Sequence, residues 1–378
     1  MNCSCFMNLL INIYISARRY ASALWIKVHQ YGFMIFSILD LSTTNQHLTA
    51  HKCCIVGDGF ALGIGDSIFS GHEAGITMTL SALLSRSSSI RSKWKVLNCG
   101  KFYFGHSTKD WLPPAPFSVL SCEKEGSSFQ KKSSSPPVLV GEGKNYYNQV
   151  FGEGSVGHDA DIVIIMAGSS DILFQKNEMP AEAMKRSLIP AYSKKCTANL
   201  NEKGGKSNKV GDGPFPSNEM CSAVVNIGRL AFDLAYIQGK MVCIVGIPPP
   251  ACSEHTWYVP SSSPMPGNYS VGMTRRMNVQ LLQIINEINR GCTDSIYPNK
   301  TLVHLKKSSR KDIGGPHRIK YIPLGRKHKW MKPDCKAYDG IHFNSRGYRY
   351  LCHEIFEKED VKNLFVAAEW ASWKNTLS

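Results

Sequence analysis

The sequence predicts an α/β fold, a doubly wound three-layer sandwich around a mostly parallel, flavodoxin-like sheet of about five strands. Two features predict this class. The apolar runs at Asp161–Ala167 (DIVIIMA) and Met241–Ile247 (MVCIVGI) are continuous rather than alternating, which indicates strands that are buried on both faces. Segments with helical spacing of apolar residues separate such runs, and this alternation is typical of parallel sheets covered by helices.

The elements can be assigned in chain order from these patterns. Strands are predicted where short apolar runs meet turn residues: Cys53–Val56, Lys95–Cys99, Asp161–Ala167, Met241–Ile247 and a shorter one at Leu302–Leu305. Helices are predicted where apolar residues recur every three or four positions: Ile76–Leu84, Met220–Gln238, Met273–Arg290 and Ser345–Lys358. Because crossovers between parallel strands are right-handed, all strands end at one edge of the sheet, and binding sites form at that edge.

The domain organisation follows from shifts in composition. Residues 51–360 are predicted to form one α/β domain. Two stretches rich in Ser, Lys, Pro and Gly, 121–157 and 199–217, interrupt its pattern and are interpreted as surface insertions. Residues 1–50 are treated as an N-terminal extension and residues 361–378 as a C-terminal tail.

The N-terminal extension is basic and contains Arg18, Arg19 and Lys27, with no acidic residue before Asp40. One interpretation is a targeting segment, since transit peptides are basic, acid-poor and amphipathic. The other is an extension without a role in the fold. The longest apolar stretch, Tyr31–Leu39, is too short to cross a bilayer, so no transmembrane segment is predicted.

Charge and cysteine usage restrict the functional classes. The formal net charge is +15, and the stretch 306–332 holds ten Lys or Arg residues and one acid, Asp312. This stretch is interpreted as a solvated basic loop, and the alternative is a surface that attracts an anionic partner. Without a nucleic-acid module, specific nucleic-acid binding is not expected. The thirteen cysteines include no C-x-x-C pair, so no zinc site is predicted. No other cofactor is predicted, and the compartment is left open.

The strongest chemical signal is Asp339-Gly340-Ile341-His342, directly before the last predicted helix. An Asp three residues before a His can fold back onto the imidazole, which fixes its tautomer and raises its basicity. A general base that works near neutral pH needs this arrangement. On its own the D-x-x-H pattern is weak, and the same residues could simply cap a turn.

Three further signals follow the predicted strands. The first is the turn from Gly57 to Asp66 after strand one, the second is Asn98-Cys99-Gly100 with Gly105 beyond it, and the third is Gly168-Ser169-Ser170-Asp171. The glycine-rich turn lacks the Lys-Ser/Thr of a phosphate-binding P-loop, so a flavodoxin-like site for a phosphorylated ligand remains only an alternative. All of these signals are expected at the same edge of the sheet.

In this order the four blocks resemble the SGNH (GDSL-type) hydrolase family, whose first block is G-D-S-x-x-x-G and whose last is D-x-x-H. The resemblance covers Cys53 to about Pro116, Asp161–Leu173, Lys240–Pro250 and Tyr338 to about Phe356. It implies hydrolysis of a lipid, acetyl or other carboxylic ester by acyl transfer. It also implies that His342 is the base, that Asp339 orients it, and that Gly105, Ser170 and Gly59 lie around the oxyanion.

Two positions depart from the family pattern. In Gly57-Asp58-Gly59, glycine stands where the family has its nucleophilic serine, and Ser170 stands where the third block usually has Asn. A second register, Gly65-Asp66-Ser67, also spells G-D-S and makes Ser67 the alternative nucleophile. The sequence therefore supports two hypotheses, namely an ester hydrolase with weakened or lost activity, or a degenerate relative that binds an ester, glycan or anionic ligand.

Overall fold

The computed structural model describes eight parts of the chain, residues 3–40, 51–101, 107–113, 145–174, 221–249, 271–297, 318–324 and 332–377. Five strands lie in these parts: β1 His51–Gly57, β2 Trp94–Asn98, β3 Ile162–Met166, β4 Met241–Val245 and β5 Ile319–Ile322. They form one sheet in the order β2-β1-β3-β4-β5, and every neighbouring pair is parallel. The prediction of an α/β chain with a mostly parallel sheet of about five strands is confirmed at this level.

The helices alternate with the strands. Those of the described residues are α1 Cys3–Asp40, α2 Gly59–Leu62, α3 Thr77–Arg86, α4 Tyr146–Phe151, α5 Ser169–Phe174, α6 Ser222–Phe232, α7 Val271–Asn289, α8 Ser345–Glu357 and α9 Glu359–Leu377. A π-helical turn, Asp233–Ile237, extends α6, and short 3₁₀ segments lie at Ile68–Glu73, Thr108–Trp111 and Pro333–Cys335.

The core lies on the central strands, as their continuous apolar runs require. All five residues of β3 are buried, and so are four of the five in β4. Helix α8 contacts both α3 and α9, and α9 also contacts β3 and β4. Helix α6 contacts α7, and α7 contacts β5. These two groups of helices are compatible with an α/β sandwich, because a strand buried on both faces needs cover on each side.

The fifth strand differs from its predicted position. The segment Leu302–Leu305 lies outside the described residues, and β5 is Ile319–Ile322, inside the basic stretch that was interpreted as a solvated loop. That interpretation is wrong for these four residues. Ile319 and Ile322 are buried against the sheet, and the two residues between them are only partly exposed. A four-residue strand at the sheet edge buries too few side chains to show a pattern among basic neighbours.

The chain after α8 forms a helix rather than a tail. Val361, Leu364, Phe365 and Ala368 of α9 are buried in the main core. The Glu369 carboxylate accepts hydrogen bonds from the backbone amides of Arg91 and Ser92 and from the indole N–H of Trp94, at 2.8–3.2 Å. These bonds tie the last helix to the start of β2.

The N-terminal extension likewise contains a long helix, α1, that packs on the domain. Ile26 and Phe33 form a small core with Ile64 and Ala74, and Trp25 packs against it. No helix among the described residues is long and apolar enough to cross a membrane.

Candidate functional site

The carboxyl ends of β1 and β3 meet where the strand order reverses, and Asp58 joins them. Its carboxylate lies directly after β1 and accepts hydrogen bonds from the amides of Ser169 and Ser170, at 2.7 and 3.0 Å, at the start of α5. Its other oxygen caps α2 through the Phe60 amide, at 3.3 Å. Burial raises the pKa of Asp58, although these hydrogen bonds oppose the effect. In doubly wound sheets, ligands bind at such a reversal point.

Asp339 and His342 form a buried pair. The imidazole Nδ1 lies 2.5 Å from one oxygen of Asp339, and the other oxygen accepts the amides of Ile341 and His342 at 3.0 Å. Both side chains are essentially inaccessible to solvent. Burial by itself raises the pKa of Asp339, but His342 and the two amides outweigh it, so that this pKa lies below its ordinary value. The carboxylate is therefore charged and holds the ring in one orientation.

The His342 ring lies beside the turn that follows β1. Its centroid is 4.9 Å from that of Phe60, the second residue of α2, and Phe60 also packs against Phe343 at 5.3 Å. The fold thus brings together two segments that lie almost three hundred residues apart in the chain. A small cavity at the ends of β1, β3 and β4 adjoins the same turn and is lined among others by Asp58, Phe60, Met166, Ser169, Val245 and Ile247.

The candidate nucleophile positions differ in their surroundings. β1 ends at Gly57, and Gly59 is buried as the first residue of α2, next to the residue that contacts His342. Gly57 has φ of +135°, and a Cβ there would lie 2.0 Å from the Met166 carbonyl oxygen, so the strand can turn here only with glycine. Ser67 instead precedes the 3₁₀ segment Ile68–Glu73 with an exposed side chain. The ring contact of His342 is thus with the neighbour of Gly59. Gly65 of the Ser67 register approaches the next residue, Phe343, where an added Cβ would lie 2.2 Å from the carbonyl oxygen.

Asn98 and Gly100, from the second block, hold the turn after β2 against α2. The Asn98 side-chain amide donates to the carbonyls of Leu62 and Ala74, at 3.1 and 3.2 Å, and its oxygen accepts the Gly100 amide. A Cβ at Gly100 would lie 2.2 Å from the Leu62 nitrogen, so the turn after β2 must pass directly against α2.

Asp171 and Ser170 belong to the third block. Asp171 accepts hydrogen bonds from the amide and hydroxyl of Thr108, and burial raises its pKa to about 7. The Ser170 amide is engaged by Asp58, and its buried hydroxyl has no hydrogen-bond partner among the described residues. Gly168 has a positive φ at the turn out of β3. Gly105 lies outside the described residues.

Lys336 is a buried cation at this site that the sequence pattern did not indicate. Its ammonium donates to the carbonyls of Ile341, at 2.8 Å, and Pro249, at 3.1 Å, and lies 4.0 Å above the Phe343 ring. It thereby links the loop of the Asp339–His342 pair to the end of β4. Burial lowers the pKa of Lys336 to about 7. A lone lysine in a polar sequence gives no sign of burial, so only the three-dimensional contacts identify it.

No protein-family model matches the chain, and no curated protein matches it either. The described residues contain no cluster of three or more His, Cys, Asp or Glu side chains that could hold a metal ion. What the site contains is a histidine oriented by a buried carboxylate, beside a helix N-terminus whose first residue is glycine. Such a pair can accept a proton from a hydroxyl or a water molecule.

Proposed function

We propose that this protein has the SGNH (GDSL-type) hydrolase fold and acts on a carboxylic ester, with His342 as general base and Asp339 as the residue that orients it. In this proposal the nucleophile position of the fold is residue 59. Because glycine occupies that position, no acyl-enzyme forms there. A water molecule that gives a proton to His342 attacks the ester carbonyl directly, the imidazolium returns the proton to the departing alkoxide, and the carboxylic acid and the alcohol are released. The activity of such a site is weak.

The observation that carries this proposal is the contact between His342 and the turn after β1. A buried Asp–His pair lowers stability unless its charges are compensated, since both groups lose their hydration. Here it is compensated by two amides, and the imidazole ring lies against Phe60 in the first turn of α2. In this proposal an ester carbonyl bound beside Gly59 lies within reach of this base.

The missing hydroxyl accounts for the expected weakness. Removing the nucleophile of a Ser-His-Asp set typically lowers the rate by several powers of ten, and the remaining catalysis comes from binding and oxyanion contacts. Residue 59 has no positive φ and lies in a helix, so its backbone can accept a side chain. A serine introduced there would complete the set.

Turnover of a short-chain nitrophenyl ester tests the proposal, with Gly59→Ala as the matched control for Gly59→Ser. We expect Gly59→Ser to exceed Gly59→Ala by about a hundredfold or more, and this gain to vanish when His342→Ala is added. Ser67→Ala should leave the wild-type rate unchanged. Equal rates for the two residue-59 variants would contradict the proposal, and loss of the wild-type rate in Ser67→Ala would make Ser67 the nucleophile.

A second candidate is an SGNH-like protein that binds the ester without cleaving it, and Gly59 is the observation in its favour. It predicts a saturable increase of the melting temperature with a short-chain ester, without any turnover by the wild type. Clear turnover by the wild-type protein that depends on His342 would exclude it.

A further inference from the structure

Among its described side chains, helix α1 contacts the domain through one face, between Trp25 and Phe36. Ile26 and Phe33 are buried, His29 lies partly buried between them, and Phe36 packs edge-on against Phe69 with ring centroids 5.1 Å apart. The ring centroid of Trp25 lies 6.4 Å from that of Tyr338, which directly precedes the Asp339–His342 loop. This face of α1 is therefore already occupied by the protein itself.

The opposite face is exposed and apolar. Nine of its large hydrophobic side chains are between 44 and 65% exposed: Leu10, Ile13, Tyr14, Tyr20, Leu24, Val28, Tyr31, Met34 and Ile35. At about 100° per residue they fall within an arc of roughly 160°, and they extend over about 38 Å of helix. We call these nine residues the apolar face of α1. An exposed apolar surface of this extent is unusual for a protein that acts alone, and it marks a site of association.

Charge indicates the kind of partner. The chain carries a formal net charge of +15, and α1 contains Arg18, Arg19 and Lys27 with no acidic residue before Asp40. Two copies of such a chain would repel each other, whereas an anionic surface would attract it. Three tyrosines of the apolar face have the amphipathic rings that suit the boundary between lipid and water.

We propose that the apolar face of α1 binds the surface of an anionic phospholipid bilayer, with the helix lying parallel to the membrane plane. Apolar side chains on one face and flanking basic residues are the features by which helices bind at such an interface. Between Trp25 and Phe36 the opposite face of α1 stays packed on the domain, so binding would bring the Asp339–His342 loop close to the lipid. This inference does not depend on the proposed ester chemistry.

Vesicle flotation of the full chain tests it, using phosphatidylcholine vesicles with and without phosphatidylserine. The variant Leu24→Gln/Val28→Gln/Tyr31→Gln/Ile35→Gln keeps good helix formers on the exposed face. Val279→Gln/Leu282→Gln on α7 is the matched control, since these two side chains are 60 and 45% exposed. Circular dichroism and thermal unfolding establish that each variant folds.

We expect the wild type and the α7 control to float with the phosphatidylserine vesicles, and added salt to weaken this binding. The α1 variant should bind at least about tenfold more weakly, and Lys27→Glu should also reduce binding. Absence of wild-type flotation, equal binding to both kinds of vesicle, or undiminished binding by the α1 variant would overturn the proposal. A dimer that dissociates in the α1 variant, in a protein that does not float, would assign the face to a second copy instead.

Discussion

Replacing Lys336 by methionine should remove a distinct pH dependence of stability. The pKa of this lysine lies at about 7 in the folded protein because of burial, against an ordinary value of 10.5. Between these values the unfolded chain binds a proton that the folded protein does not, so the free energy of unfolding rises with pH. At 1.36 kcal/mol per pH unit, the lysine contributes an increase of about 4 kcal/mol between pH 7 and pH 10.

Urea unfolding of the wild type and Lys336→Met across this range measures the effect, because other titrating groups cancel in the difference. We expect the difference, wild type minus variant, to be flat below about pH 7 and to increase above it. Lys320→Met, at a partly exposed lysine beside Asp360, serves as the control. A difference that stays constant from pH 6 to pH 10 would refute the burial of the Lys336 ammonium and, with it, the described link between the His342 loop and β4.

Three further predictions concern the fold and the pair. Gly100→Ala should lower the free energy of unfolding by about 3 kcal/mol because its Cβ would meet backbone, whereas Gly154→Ala, with nothing within 4 Å, should lower it by only about 1 kcal/mol. Similar urea midpoints for the two variants would contradict the close approach of Gly100 to the Leu62 backbone. Glu369→Gln should lower the free energy of unfolding by about 1–2 kcal/mol, because it weakens three hydrogen bonds. An unchanged thermal midpoint would mean that these bonds do not hold α9 to the start of β2. Asp339→Asn should shift the ring protons of His342 in NMR spectra and cost about 3 kcal/mol, and unchanged spectra would mean that the pair is not formed.

The central strands could be predicted from the sequence because burial on both faces leaves a continuous apolar run. Observed and predicted limits of β1 to β4 differ by at most two residues. Strand β5 could not be predicted in the same way, since only its first and last residues are buried. The order of the strands depends on crossovers, which the apolar pattern alone does not determine.

Within the candidate site, sequence spacing predicted the contacts between residues that are close to each other in the chain. The contact between Asp339 and His342 spans three residues and follows from a loop that enters a helix. The distinction between the Gly59 and Ser67 registers depends on where β1 ends, and strand limits are the least certain part of a sequence-based prediction. Lys336 and the packing of α1 depend on contacts between distant segments, and such contacts leave no local pattern.

Covalent labelling with a fluorophosphonate is the most direct test that residue 59 lies at the position served by His342. In Gly59→Ser, peptide mass spectrometry should find the adduct on residue 59, and the adduct should disappear when His342→Ala is added. The wild type should carry none at that residue. A folded Gly59→Ser protein that remains unlabelled, or that carries the adduct on Ser67, would contradict the account.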